Sequence, residues 1–305
     1  MRRLIQTLIP LLIVLALTAA GADAADKVRV VATHSDLKAL TEAVGGDLVD
    51  VVALARPSQN PHDLEVRPSL MVQVRRADLL VVNGLELDQW AELVVQGANN
   101  PRVIPGAPGR VDASRGITVL EVPTTRVDRS MGDVHPQGNP HYTLDPGMAP
   151  VVIANILEGL TRVAPQHRAA FERQRAEFLG RLDQALARWA RLLEPVKGQK
   201  VVAYHSNLVY LLTRFGLAQA GSVEERPGIP PGPGHLTRLI EQMKVDKVKA
   251  VIVEPWSDHK LAGRVAQEAG ARLIVLNAKL GTVNGPDAYI ASTDANITAL
   301  GQGLR

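Results

Sequence analysis

Apolar positions along this chain come in short β-branched runs set between helix-like stretches. "VRVVAT" (28–33), "VDVVALA" (49–55) and "DLLVVN" (78–83) alternate with segments such as "SDLKALTEAVGGD" and "RPSLMVQVRRA". Runs that stay apolar at consecutive positions suit strands covered on both faces, and their alternation with helices predicts a parallel sheet in an α/β unit. The pattern returns at "KVVAYHS" (200–206), "GLAQAGS" (216–222), "VKAVIVE" (248–254) and "ARLIVLN" (271–277). Two α/β halves are therefore expected.

Between them the period changes. Phe171, Phe178, Leu182, Ala185, Trp189 and Leu192 are spaced 7, 4, 3, 4 and 3 apart, the seam of a single helix. Pro165 suits its start, and Pro195 with Gly198 its end. About 29 residues at 1.5 Å each give a rod of roughly 40 Å, too stiff for wide hinge bending. The expected organisation is a leader over 1–24, an N-terminal lobe over 25–164, a linking helix over 165–195 and a C-terminal lobe over 196–305. The stretch 106–131 is polar and punctuated by Gly and Pro; it reads as loop with one edge strand near "ITVLEV".

The first residues bear on compartment. Arg2 and Arg3 precede the apolar "LIQTLIPLLIVLALTAA", and Ala22–Asp23–Ala24 supplies small residues for cleavage. This reads as a secretory signal peptide and not a membrane span, with a mature chain from Ala25 exported to the periplasm. The chain has no Cys, so a lipid anchor, disulfides, thiolate zinc sites and Cys nucleophiles are excluded. Without Arg2, Arg3 and Asp23, 32 basic residues face 30 acidic ones, against 34 and 31 in the full chain. That balance does not suggest nucleic acid, and 3% aromatic residues argues against sugar binding by ring stacking.

Eight histidines remain to be sorted. His167 and His259 read as solvated helix residues, His235 as a packed or capping residue at a helix start, and His34 as a packed residue at a strand end. His62, in "SQNPHDLEVRPS", and His205, in "VVAYHS", follow strands, where ligands of open α/β sheets gather. His141 sits in "GDVHPQGNPHYTLDP". Pro directly before His62 and His141 fixes the local backbone, and Asp145 with Pro146 suits a helix cap. Taken singly, each of the three reads as a packed or surface residue. Together, in rigid frames at strand ends, they are candidates for one metal site. His135 reads as a residue that stays in solvent, with metal loading or service as an alternate ligand as its other role. Asp63, Glu65 and Asp133 are candidates to accept the second ring N–H of a ligand histidine.

Several motifs in order carry a resemblance: "NPHDLEVRPS", "GDVHPQGNPHYTLDP", "YHSNLVYLLTRFGL", "RPGIPPGPGHLTRLIEQMK", "VIVEPWSDHKLAGRVAQEAGARLIVL" and "GPDAYIASTDANITAL". Over nearly its whole mature length the chain resembles the metal-binding proteins of zinc and manganese ABC importers, the ZnuA/TroA-like group. That resemblance implies two α/β lobes bridged by one long helix with the metal between them. It assigns the ligands to His62, His141, His205 and a carboxylate at Asp287, ahead of the helix at which Asp294 is the competitor. Three imidazoles and one carboxylate favour Zn²⁺ over Mn²⁺. The implied function is a monomeric, non-enzymatic receptor that binds Zn²⁺ and delivers it to an inner-membrane ABC permease, with a periplasmic metallochaperone as a further partner and no nucleic acid. A Mn²⁺ or Fe²⁺ receptor is the alternative within the family. The alternative from another class is an exported zinc hydrolase, against which stand the absence of HExxH and GxSxG and a closed four-ligand site.

Overall fold

The computed structural model describes residues 27–277 and 285–305. The expected signal peptide lies outside them, and among the described residues no helix is long and apolar enough to cross a membrane.

Two four-stranded parallel sheets stand on either side of one long helix. The first contains β1 (Val28–Ala32), β2 (Val49–Ala53), β3 (Leu79–Val82) and β4 (Arg110–Asp112) in the order β2-β1-β3-β4. The second contains β5 (Lys200–Ala203), β6 (Ala218–Ser222), β7 (Ala250–Val253) and β8 (Arg272–Val275) in the order β6-β5-β7-β8. The two lobes thus share one strand order. Helices α1 (Ser35–Gly45), α2 (Pro68–Arg75), α3 (Trp90–Ala98) and α4 (Ala149–Val163) belong to the first lobe, and α5 (Arg168–Leu193) links the two. Helices α6 (Val209–Arg214), α7 (Pro233–Val245), α8 (His259–Ala269) and α9 (Ala288–Gly303) complete the second.

The apolar runs are continuous because both sheet faces are covered. In β1, Val30 and Ala32 face the central core while Val31 faces an outer cluster with Trp90 and Val94. In β5, Val201 and Ala203 face the same central core while Val202 joins Leu239, Met243 and Val265 outside. Period-two alternation holds, but both sets are apolar.

Helix α5 is the shared wall. Its 26 residues extend about 39 Å, with single-turn 3₁₀ segments at Pro165–His167 and Glu194–Val196. Phe171, Phe178, Leu182, Ala185 and Trp189 are buried against residues of both lobes. Each large apolar side chain so buried contributes about 1.5–3 kcal/mol. The Trp189 indole N–H donates to Asp294 at 2.9 Å, which gives Asp294 a structural task away from any ligand role.

One expectation fails here. The edge strand of the first sheet is β4, pairing Leu80–Val82 with Arg110–Asp112, while "ITVLEV" forms no strand. The backbone of Leu120 is engaged elsewhere: its N–H donates to Tyr210 Oη at 2.9 Å and its carbonyl accepts from Asn139 at 2.8 Å. With its N–H committed to the second lobe and its carbonyl to Asn139, it cannot extend the first sheet.

Candidate metal centre

Two identical tripeptides build the N-terminal half of the site. In Asn60–Pro61–His62 the Asn side-chain oxygen accepts the His62 backbone N–H at 3.1 Å. In Asn139–Pro140–His141 the same bond recurs, again at 3.1 Å. Each is an Asx-turn, in which an Asn side chain closes on the backbone two residues on, and Pro fixes φ between. Trp90 locks the first frame by donating to the Pro61 carbonyl at 3.0 Å. Asn83 locks the second by donating to the Pro140 carbonyl at 3.1 Å. After His141, Asp145 caps the next turn by accepting from Gly147 at 2.7 Å, with Pro146 at its first position. Asp145 also takes a two-point ion pair from Arg214 of the second lobe, at 2.7 and 2.9 Å.

His205 comes from the other lobe, two residues beyond β5, the strand flanked by β6 and β7. This is where a doubly wound sheet opens a crevice. The three rings converge: His62 and His141 centroids lie 5.0 Å apart, His62 and His205 5.1 Å, His141 and His205 5.6 Å. One ligand atom from each lies within 4.8 Å of the other two. The closest approach is Nε2 of His62 to Nε2 of His141, 3.2 Å. Zinc–nitrogen bonds of about 2.0–2.1 Å in a tetrahedron require a nitrogen–nitrogen edge of roughly 3.3–3.4 Å. His141 is only 4% exposed, and cavities of about 230 and 210 Å³ flank the rings on two sides.

The surrounding charges favour a cation. Glu224 accepts from His205 Nδ1 at 2.8 Å and from the Gly228 N–H, also at 2.8 Å. Burial works against charge on His205, but the Glu224 hydrogen bond and the negative field of Glu224, Glu254 and Asp133 outweigh it and raise its pKa. Burial pushes the carboxyls of Glu254 and Asp133 up, with His205 opposing in both cases.

Asp287 is not brought together with the three histidines here. It pairs with Arg181 of α5 at 2.9 Å, with its side chain 66% exposed. It lines a depression with Lys27, Glu42 and Gln174 and is not in the group that the three histidines form. It stands at the N-terminus of α9. His135 does not stay in solvent as expected: it is half-buried and its Nε2 lies 3.3 Å from Nδ1 of His62. Glu224 and His135 are partners of the ligand rings, and Asp133 acts on His205 through its field. Among the remaining histidines, His34 packs edge-on to Trp90. His235 bonds the Ser222 carbonyl at 3.0 Å and His259 that of Glu254 at 2.9 Å.

A family profile described as zinc-uptake complex component A, periplasmic, matches residues 30–303. The high-affinity zinc uptake system protein ZnuA of Bacillus subtilis is 25% identical over 255 residues, 83% of this chain and 78% of that protein. The iron-binding protein YfeA of Yersinia pestis is 25% identical over 292 residues, 92% of this chain and 88% of its own. A crystal structure of ZnuA superposes with a TM-score of 0.77 at 23% identity, covering 92% of this chain and all of the other. At that identity the superposition speaks for the fold alone.

Proposed function

Because the chain belongs to the periplasmic zinc-uptake component A family, whose members are metal-binding solute-binding proteins, we propose that it carries Zn²⁺ on His62, His141 and His205 to an ABC permease. The observation that carries this reading is the convergence of three imidazoles, two from one lobe and one from the other, at a spacing a tetrahedral ion fits. Relatives named for zinc and for iron leave the metal to the donor set. Three nitrogens favour zinc, whereas manganese prefers more oxygen donors and higher coordination. The ion here is cargo, and the fourth position is left to water, through which the ion exchanges. Because α5 packs on both lobes, release proceeds by local rearrangement at the rings more than by wide domain opening.

Titration of the metal-free protein with Zn²⁺ and with Mn²⁺, each against a chromophoric chelator, tests the reading. One tight zinc per chain, with manganese weaker by orders of magnitude, is the expected result. Equal affinities would turn the assignment to a manganese or iron receptor. Three histidines with an open position also suit a zinc hydrolase; ester turnover that scales with bound zinc would favour that second reading.

A further inference from the structure

His62 faces another imidazole from each of its ring nitrogens. Its Nε2 lies 3.2 Å from Nε2 of His141, and its Nδ1 lies 3.3 Å from Nε2 of His135. One ring cannot give both nitrogens to one ion. The first edge belongs to the group that includes His205; His135 does not enter that group. The Nδ1 of His62 therefore keeps its proton and donates it to His135, whose plane is tilted only 23° from that of His62. Accepting on Nε2 requires His135 to be the neutral ring with its own proton on Nδ1.

The loop that carries His135 is clasped by the opposite lobe. Asp133 donates its N–H to the Pro227 carbonyl at 2.8 Å, and Arg226 donates to the Ser130 carbonyl at 2.9 Å. Gly132 has φ +75°, and a Cβ there would meet the Pro227 carbonyl oxygen at 2.1 Å, so the two loops touch where only glycine fits. The adjoining Gly228 N–H bonds Glu224, the partner of His205. Both outer partners of the ligand rings thus hang on one contact between lobes.

We propose that His135 is a positioning residue of the metal site: it accepts the Nδ1–H of His62, fixes that ring in the tautomer whose Nε2 lone pair faces the ion, and is itself held in place by the 226–228 loop of the other lobe. It fills the role that a carboxylate or carbonyl usually takes beside a ligand histidine. The inference rests on the metal reading above.

The test uses the full chain with His135→Ala, His135→Gln and His141→Ala, measuring zinc stoichiometry and affinity, the Co²⁺ absorption spectrum, and the thermal midpoint of each metal-free variant. Expected for His135→Ala are one zinc per chain, affinity weakened 10–100-fold and unchanged Co²⁺ band positions, because the donor atoms are the same. His135→Gln should recover most of the affinity, since its amide oxygen also accepts. Unchanged affinity in His135→Ala overturns the proposal. So does an equal loss in both variants, which would reduce His135 to packing. A shifted Co²⁺ spectrum overturns it too, by making His135 a ligand. Wild-type affinity in His141→Ala would instead sink the metal reading itself.

Discussion

Asn139 accepts the backbone N–H of His141 through its side-chain oxygen, at 3.1 Å. Its amide nitrogen donates to Glu121 at 2.8 Å and to the Ser206 carbonyl at 2.9 Å, one residue from His205. A single buried side chain therefore sets one ligand's backbone and ties it to the strand end that carries another. Tyr210 adds a donation to the Asn139 carbonyl at 2.8 Å.

Asn139→Ala is expected to weaken zinc binding and to destabilise the metal-free protein by about 1–3 kcal/mol, since buried partners lose their bonds. Asn60→Ala breaks the matching turn, but among the described residues the Asn60 side chain, unlike that of Asn139, bonds its own turn and not the second lobe. It should cost affinity with a smaller loss of stability. Chemical unfolding beside a chelator competition assay separates the two effects, and equal stability losses would count against the inter-lobe role of Asn139.

Glu224 orients His205 and adds negative charge beside the site. Glu224→Gln keeps the shape but removes the charge, and a 10–100-fold loss of zinc affinity is expected. Isothermal titration over a range of competing chelator concentrations would resolve it. Affinity within twofold of wild type would mean that the ring needs no anionic partner.

Asp287→Ala should leave zinc stoichiometry at one and affinity within about twofold. The exposed pair it makes with Arg181 is of the kind that contributes about 0–1 kcal/mol, so the melting temperature should barely move. A marked loss of zinc binding would restore Asp287 as a ligand and overturn the geometry described above.

His135 also predicts a pH dependence of the metal-free protein. Burial holds its folded-state pKa to about 4, whereas an unfolded chain protonates histidine near 6.5. Between those values the unfolded chain binds a proton that the folded chain refuses, so this contribution is complete above pH 6.5 and is lost as pH falls toward 4. His205 acts in the opposite sense: its raised pKa gives stability present below 6.5 and lost as pH rises through the raised value. His205 is common to both proteins, so the difference between wild type and His135→Gln isolates His135. The variant's melting temperature should gain on wild type as pH is lowered from 6.5 to 4. A difference that stays flat with pH would show that His135 charges freely in the fold.

Most of the scaffold was legible because its physics is local. Runs such as 28–33 and 248–254 announce strands buried on both faces, and the seam from Phe171 to Trp189 announces one helix. Asn-Pro-His was legible for the same reason, since three consecutive residues make the whole turn. The partners of the ligand rings were not. His135 reaches His62 across 73 residues and Glu224 reaches His205 across 19, with no shared period to link them. A signal for Glu224 did exist: it stands two residues beyond β6, and the strand-end rule that pointed to His205 points to it equally. Asp287 was assigned by the resemblance and not by spacing, since a carboxylate at a helix start carries no local signal of a ligand, and here it pairs with Arg181 of α5.

The apolar cluster that runs without a break from Val28 through Phe178 and Trp189 to Leu304 makes the chain indivisible. Severing it within α5 would leave each fragment with a raw apolar face and half a binding site. Neither fragment should fold alone, and the two should regain structure and cargo only when mixed.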